Sequence, residues 1–149
     1  MSPDTPLKRP ESVLVVIRND DQQVLIMQRD DDADFWQSVT GTIEEGESPI
    51  HAAYRELSEE TGIALPKSTH PIVDCRRVNQ YRIRSSWLYR YPKGTEFNNE
   101  YVFSIQVPSH IDIVLSEHTA YAWVSKAEAM ARVWSKTNRD AILDFVPES

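Results

Sequence analysis

The chain has 149 residues, of which 40% are hydrophobic and 26% charged, with a formal net charge of -7. These values predict one soluble globular domain over residues 1–149 and exclude a disordered or membrane-embedded chain. The acidic charge predicts no nucleic-acid partner, and a single cysteine without a visible signal peptide predicts a cytoplasmic protein with no membrane association.

The N-terminal third of the sequence predicts an extended arm followed by a β-hairpin. Residues 1–10 contain three prolines and form the predicted arm. Branched apolar residues predict strands over 12–17 and 24–28, and the polar residues 19–21 predict the turn between them. A short third strand is predicted over 35–39.

A helix is predicted between Ser48 and Gly62. Ser48 is a favourable N-cap, Pro49 suits the first helical position, and Gly62 is a favourable terminator. Apolar residues recur along it at helical spacing, which predicts a buried face formed by Ile50, Ala53, Tyr54 and Leu57.

The second half of the sequence predicts three more strands and two helices. The strands are predicted over 76–91, 101–107 and 121–124, with a turn at 92–94. Ser125 with Glu128, and Thr137 with Asp140, form capping patterns that predict helices through about 133 and 146. Strands on both sides of one helix, with further helices at the end, predict an α/β fold in which helices flank a mixed sheet.

Charge is unevenly distributed along the chain. Residues 44–60 contain six glutamates and one arginine, whereas residues 76–93 contain six basic residues and no acidic one. An acidic segment followed by a basic segment predicts a metal site beside an anion site. Charge runs are also common on solvated faces, so this pattern alone does not decide between the two.

The most specific pattern begins at Gly41. Five residues separate Gly41 from Glu47, and seven more lead to Arg-Glu-Leu-Ser-Glu-Glu-Thr-Gly-Ile at 55–63. At 3.6 residues per turn, Glu56 and Glu60 lie one above the other, with Glu59 on the adjoining arc. Three neighbouring carboxylates repel one another, and their hard oxygens favour Mg²⁺, or alternatively Mn²⁺.

A cation held by these carboxylates predicts hydrolysis of a phosphate compound. It acidifies a bound water, and a carboxylate accepts the proton as general base. Arg55 points to a different arc and is predicted to hold Glu47, or another carboxylate, by a charge-assisted hydrogen bond. A solvated acidic helix is the alternative. That alternative explains neither the glycines at 41 and 62 nor the fixed spacing between Gly41 and Glu47.

The pattern matches every specified position of the Nudix box, so the chain is identified as similar to the Nudix hydrolases. The resemblance implies a Nudix-type α/β/α sandwich and metal-dependent cleavage of a small molecule that contains a diphosphate. It also implies that the metal ligands include Glu56, Glu59, Glu60 and the backbone carbonyl of Gly41. In this family the general base is a box glutamate, here Glu56 or Glu59, or a glutamate elsewhere in the chain.

Short segments outside the box, including 8–10 and 34–41, resemble a bacterial branch of this family. Members of that branch release diphosphate from dihydroneopterin triphosphate. This resemblance implies that Glu117 is a further metal ligand or the base, although an ordinary surface glutamate is the alternative. The implied substrate contacts are Lys8, Arg29, Thr40, Tyr81, Arg82, Ile83, Arg84 and Ser135.

Some of these substrate contacts have ordinary alternatives. Arg29 also fits a solvated strand end, and Ser135 also fits a loop or cap residue. In the substrate-binding interpretation, Tyr81 stacks on a pterin or a base and a nearby arginine binds the triphosphate. The four tryptophans are predicted to belong to the core.

Two other functions fit the same sequence. A Nudix enzyme acting on dATP or on a damaged deoxynucleoside triphosphate would share all of the box chemistry. A non-catalytic module that binds a nucleotide or a partner protein usually lacks box glutamates, and all of them are present here. The sequence predicts a small-molecule triphosphate as the partner and leaves the oligomeric state open.

Overall fold

A mixed β-sheet forms the middle layer of the protein. The structure is a computed structural model that describes residues 7–116 and 118–148. The strands are β1 (Glu11–Asn19), β2 (Val24–Arg29), β3 (Trp36–Gln37), β4 (Val39–Thr42), β5 (Val73–Arg82), β6 (Phe97–Val107) and β7 (His118–Val124). The helices are α1 (Pro49–Thr61), α2 (Lys126–Arg132) and α3 (Lys136–Phe145), with a 3-10 helix at Ser85–Arg90.

Strand β1 lies at the centre of this sheet. It pairs in parallel with β6 and antiparallel with β2 and β4, while β5 pairs with β6, and both β3 and β7 pair with β2. Both of its faces are covered, which explains why its apolar residues form a continuous run instead of alternating with polar ones. Val13 and Val15 pack in the cluster that includes α1, whereas Leu14 and Val16 pack in the cluster that includes α2 and α3. The predicted α/β/α sandwich is therefore confirmed.

Helix α1 begins and ends where the sequence predicts. The Ser48 hydroxyl accepts a hydrogen bond from the backbone N–H of His51, and Gly62 closes the helix in the left-handed region at φ 75°. The predicted buried face is wrong at Ile50, which is 38% exposed. The buried arc is displaced toward Glu56 and Glu60 because these two carboxylates face a cleft and not open solvent.

The strand predicted over 76–91 is wrong in its second half. Strand β5 ends at Arg82, and the next segment forms the 3-10 helix. The backbone of this segment bonds within itself, since the N–H of Trp87 donates to the carbonyl of Arg84 at 2.9 Å. Strand β6 begins at Phe97, earlier than predicted, because its polar first residues pair with both β1 and β5.

Helix α3 begins earlier than predicted. Ser135 caps it by accepting a hydrogen bond from the N–H of Asn138, so the predicted cap at Thr137 is wrong. The Thr137 hydroxyl instead lies 3.0 Å from the Ser135 hydroxyl and bonds the carboxyl of Glu100. The predicted cap of α2 at Ser125 is confirmed.

The predicted N-terminal arm is described only from Leu7 onward. Its backbone bonds the 3-10 helix through the N–H of Lys8, which donates to the carbonyl of Arg90 at 2.7 Å. Strand β7 begins at His118, three residues before its predicted start at 121. No helix among the described residues is long and apolar enough to cross a membrane.

Candidate active site

A cleft of about 850 Å³ runs between α1, the central strands and the first turn of α3. It brings together residues that are far apart in the sequence. The predicted metal and substrate residues that line it are Lys8, Arg29, Thr40, Gly41, Glu56, Glu59, Glu60, Tyr81, Arg82, Ile83, Arg84 and Ser135. Arg55 and Glu47 lie behind one wall, and Glu117 lies outside the described residues.

Helix α1 presents its carboxylates to one end of the cleft. Glu56 is 9% exposed and Glu60 2% exposed, whereas Glu59 is exposed at the surface. Gly41 in β4 lies against Glu56, and a Cβ atom added to Gly41 would overlap the Glu56 carboxylate. The glycine at this position therefore gives a buried carboxylate its space.

The guanidinium of Arg55 connects the helix, the preceding loop and β4. Its Nε and Nη2 donate to the two carboxylate oxygens of Glu47 at 2.7 and 2.8 Å. Its Nη1 donates to Glu56 at 2.6 Å and to Glu59 at 3.3 Å, and Nη2 also donates to the carbonyl of Thr42 at 3.0 Å. Such a planar, bidentate arrangement is one that lysine cannot reproduce. It fixes the carboxylate of Glu56 from the side that faces away from the cleft.

The pairing with Arg55 affects the ionisation of Glu47. The hydrogen bonds from Arg55 lower the pKa of Glu47 from its ordinary value of 4.5 to about 2. Since the folded-state pKa is below the unfolded one, this contribution to stability is complete above pH 4.5 and is lost as pH falls toward 2.

We expect the Glu47→Gln variant to be less stable than the native protein at pH 7, by on the order of 2 kcal/mol. The difference should shrink as pH falls from 4.5 toward 2, where native Glu47 also becomes protonated. Urea unfolding at a series of pH values measures this. Glu45→Gln, at an exposed neighbour, is the matched control and should follow the native curve. A constant difference at every pH would contradict the assignment.

Aromatic and basic side chains form another wall of the cleft. Phe35 stacks on Trp134 at 4.7 Å between ring centroids, and Trp87 meets Trp134 edge-on at 6.2 Å. Around Trp87 lie three guanidinium groups, 5.1 to 5.9 Å from the ring centroid, which belong to Arg29, Arg84 and Arg90. Trp87 and Trp134 thus line the cleft, and the prediction that they belong to the core is wrong.

Buried polar side chains from β6, which are not among the residues predicted from the sequence, form part of the cleft wall. Asn98 and Glu100 are both almost fully buried. The Asn98 amide donates to the Ser12 hydroxyl at 2.8 Å and to the Tyr81 hydroxyl at 3.1 Å. Burial raises the pKa of Tyr81 to about 12, so the phenol stays protonated at neutral pH. The available signal was the pair of polar residues at alternate positions next to an apolar strand.

His118, at the start of β7, also lines the cleft. Its Nε2 lies 3.9 Å from a carboxylate oxygen of Glu60 and 3.3 Å from the Gln37 amide nitrogen. No local sequence pattern marks this histidine, and the pairing of β7 with β2 brings it to α1.

Comparison with known proteins agrees with this geometry. The NUDIX domain family matches residues 8–145. The chain is 44% identical over 144 residues to the dihydroneopterin triphosphate diphosphatase of Escherichia coli K12, with 96% of each chain covered. It is 39% identical to the Haemophilus influenzae protein of the same name, covering 93% of this chain and 89% of that one.

Solved structures show the same likeness. The structure of the E. coli dihydroneopterin triphosphate pyrophosphohydrolase superposes with a TM-score of 0.87 at 44% identity, covering 94% of this chain and 97% of that one. A NUDIX hydrolase structure from Listeria monocytogenes superposes with a TM-score of 0.78 at 22% identity, covering 93% and 92%, which shows the fold alone.

Proposed function

The chain belongs to the Nudix family of hydrolases, and on this premise we propose that it hydrolyses dihydroneopterin triphosphate to dihydroneopterin monophosphate and diphosphate. The observation that carries the proposal is the composition of one cleft, which holds box carboxylates, arginines and aromatic side chains together. Identity of 44% over almost the full length with the E. coli enzyme supports the same substrate. A single domain acting in the cytoplasm is part of the proposal, and the lone cysteine is consistent with a reducing compartment.

Nudix hydrolases use divalent metal ions, and we propose Mg²⁺ here, with Mn²⁺ as a substitute. The proposed ligands are Glu56, Glu59, Glu60, Glu117 and the Gly41 carbonyl. All are hard oxygen donors, and two of the carboxylates are buried in the cleft wall, which fits such a cation.

Within the described ranges, no three His, Cys, Asp or Glu side chains are already gathered to hold a metal ion. Mg²⁺ sites usually include substrate phosphates and water besides protein carboxylates. In the proposed site, the substrate therefore brings part of the ligand set with it.

When bound, the cation would neutralise phosphate charge and lower the pKa of a water molecule. One of the carboxylates Glu56, Glu59 and Glu117 accepts the proton of that water. The water oxygen forms a bond to one phosphorus atom. At the same phosphorus, the bond to the oxygen that bridges the α and β phosphates breaks. Diphosphate leaves, and dihydroneopterin monophosphate remains.

The remaining cleft residues bind and orient the substrate in this proposal. Lys8, Arg29 and Arg84 contact the triphosphate, and Arg29 is oriented by two hydrogen bonds to Asp31, at 2.8 and 2.6 Å. Thr40 and Ser135 contribute hydroxyl groups to the cleft, and Tyr81, Arg82 and Ile83 form its β5 side.

Steady-state kinetics with a panel of triphosphates tests this proposal. We expect kcat/KM for dihydroneopterin triphosphate to exceed that for dATP and for an oxidised deoxynucleotide by at least about 10-fold, a difference of about 1.4 kcal/mol in transition-state binding. The products should be diphosphate and the monophosphate, and EDTA should abolish turnover until Mg²⁺ is restored.

Two outcomes would contradict the proposal. A higher kcat/KM for dATP or an oxidised nucleotide would identify a nucleoside triphosphate diphosphatase with the same box chemistry. Absence of turnover with every triphosphate, in the presence of Mg²⁺, would identify a binding module.

A further inference from the structure

Glu100 is a carboxylate buried in the cleft wall, away from the box helix. It lies on β6, is 5% exposed and lines the cleft. Its described hydrogen-bond partners are the amide of Asn79, at 3.3 Å, and the hydroxyl of Thr137. Among the ion pairs of residues 7–116 and 118–148, none includes Glu100. Burying a carboxylate without a cation costs free energy, and burial raises the pKa of Glu100. Additional hydrogen-bond donors at this carboxylate are therefore strongly favourable.

The register of the sheet fixes how far Glu100 lies from the box. Ser12 on β1 is paired with Thr42 on one side and with Glu100 on the other. These three side chains form one row across the sheet, and all of them line the cleft. Two strand spacings separate Thr42 from Glu100, roughly 10 Å. A pterin ring with its three-carbon side chain spans a comparable distance, so phosphates near Gly41 would bring the ring to Glu100.

The chemistry of the ring matches a carboxylate at that position. A 2-amino-4-oxo pyrimidine edge presents two parallel N–H donors, one from the 2-amino group and one from N3. A carboxylate accepts both in a bidentate arrangement, and its oxygens have acceptor capacity beyond the bonds from Asn79 and Thr137. Adenine presents a hydrogen-bond acceptor at N1, and a carboxylate oxygen, itself an acceptor, cannot form a hydrogen bond with it.

We propose that Glu100 is the specificity-determining residue of the cleft, and that it binds the 2-amino-4-oxo edge of the substrate ring. The inference rests on the proposed function for the identity of the ring. It extends that function to a class of ligand, since any ring with the same donor edge, guanine included, fits the same carboxylate.

The Glu100→Gln variant tests this directly. The substitution replaces one carboxylate oxygen by an NH₂ group, which cannot accept a hydrogen bond from a ring N–H. We expect kcat/KM for dihydroneopterin triphosphate to fall about 10- to 100-fold, whereas kcat/KM for dATP stays within about twofold. Glu128→Gln, the same change on the exposed surface of α2, is the matched control and should leave both values unchanged. An unchanged value for the pterin substrate, or an equal fall for both substrates, would overturn the inference.

A ligand-side test in the native protein does not depend on the folding of the variant. Pterin and lumazine differ at position 2, where lumazine carries an oxo group in place of the amino group. As competitive inhibitors of whichever triphosphate is turned over, pterin should bind at least about 10-fold more tightly than lumazine. Equal inhibition would overturn the role of Glu100. If dihydroneopterin triphosphate itself is not hydrolysed, the proposed function fails while this comparison still decides the inference.

Discussion

Replacing Glu60 by glutamine is expected to lower kcat/KM by at least about 100-fold while leaving the fold intact. Glu60 is 2% exposed and faces the cleft from the last turn of α1. Glutamine has nearly the same shape but carries no charge, so it fills the same space and is a poor ligand for a hard cation.

Thermal unfolding with and without Mg²⁺ measures metal binding independently of activity. A ligand that binds only the folded state raises the melting temperature by mass action. The native protein should therefore melt at a higher temperature with Mg²⁺, and the Glu60→Gln variant should show a smaller rise or none. Native-like turnover in the variant, or an undiminished response to Mg²⁺, would contradict the role of Glu60 as a metal ligand.

The sequence predicts well the helix ends that depend on neighbouring residues, and it predicts poorly those that depend on distant ones. Ser48 marks the start of α1 through its hydroxyl, and Pro49 and Gly62 favour the start and the end through their backbone preferences, so local residues predict both ends. At α3, Ser135 and Thr137 are both plausible caps, and the contact of Thr137 with Glu100 helps to decide between them. That contact spans 37 positions and is not visible in a local pattern, which is why the predicted cap is wrong.

The same distinction applies to the candidate site. Helix α1 carries Arg55, Glu56, Glu59 and Glu60, so helical spacing alone brings these four side chains together. Glu100 and Asn98 face the cleft only because β6 pairs with both β1 and β5. Trp87 and Trp134 meet only because the 3-10 helix approaches the start of α3. The alternating polar residues of β6 indicate a polar face, but residue type alone does not show which distant residues that face meets.

The Gly41→Ala variant is expected to lose activity without losing much stability. The added methyl group would overlap the end of the Glu56 side chain, and not the backbone of a neighbouring strand. The carboxylate should therefore move while the strand and helix stay in place. We expect kcat/KM to fall on the order of 100-fold and the free energy of unfolding to change by less than about 1 kcal/mol.

Gly94→Ala is the complementary control. Gly94 has φ 91°, and an added Cβ would meet nothing within 4 Å, so the only penalty is backbone strain. We expect that variant to lose about 1 kcal/mol of stability and to keep its kcat/KM. Denaturant unfolding and steady-state kinetics on both variants measure the two effects separately.

A double-mutant cycle identifies the cause of the Gly41 effect. If the methyl group acts by displacing the Glu56 carboxylate, it can do no further harm once that carboxylate is gone. Gly41→Ala should then lower kcat/KM far less in a Glu56→Ala background than in the native protein. Fully additive losses would mean that Gly41 acts through its own backbone, for example through its carbonyl, and that the space it leaves for Glu56 is incidental.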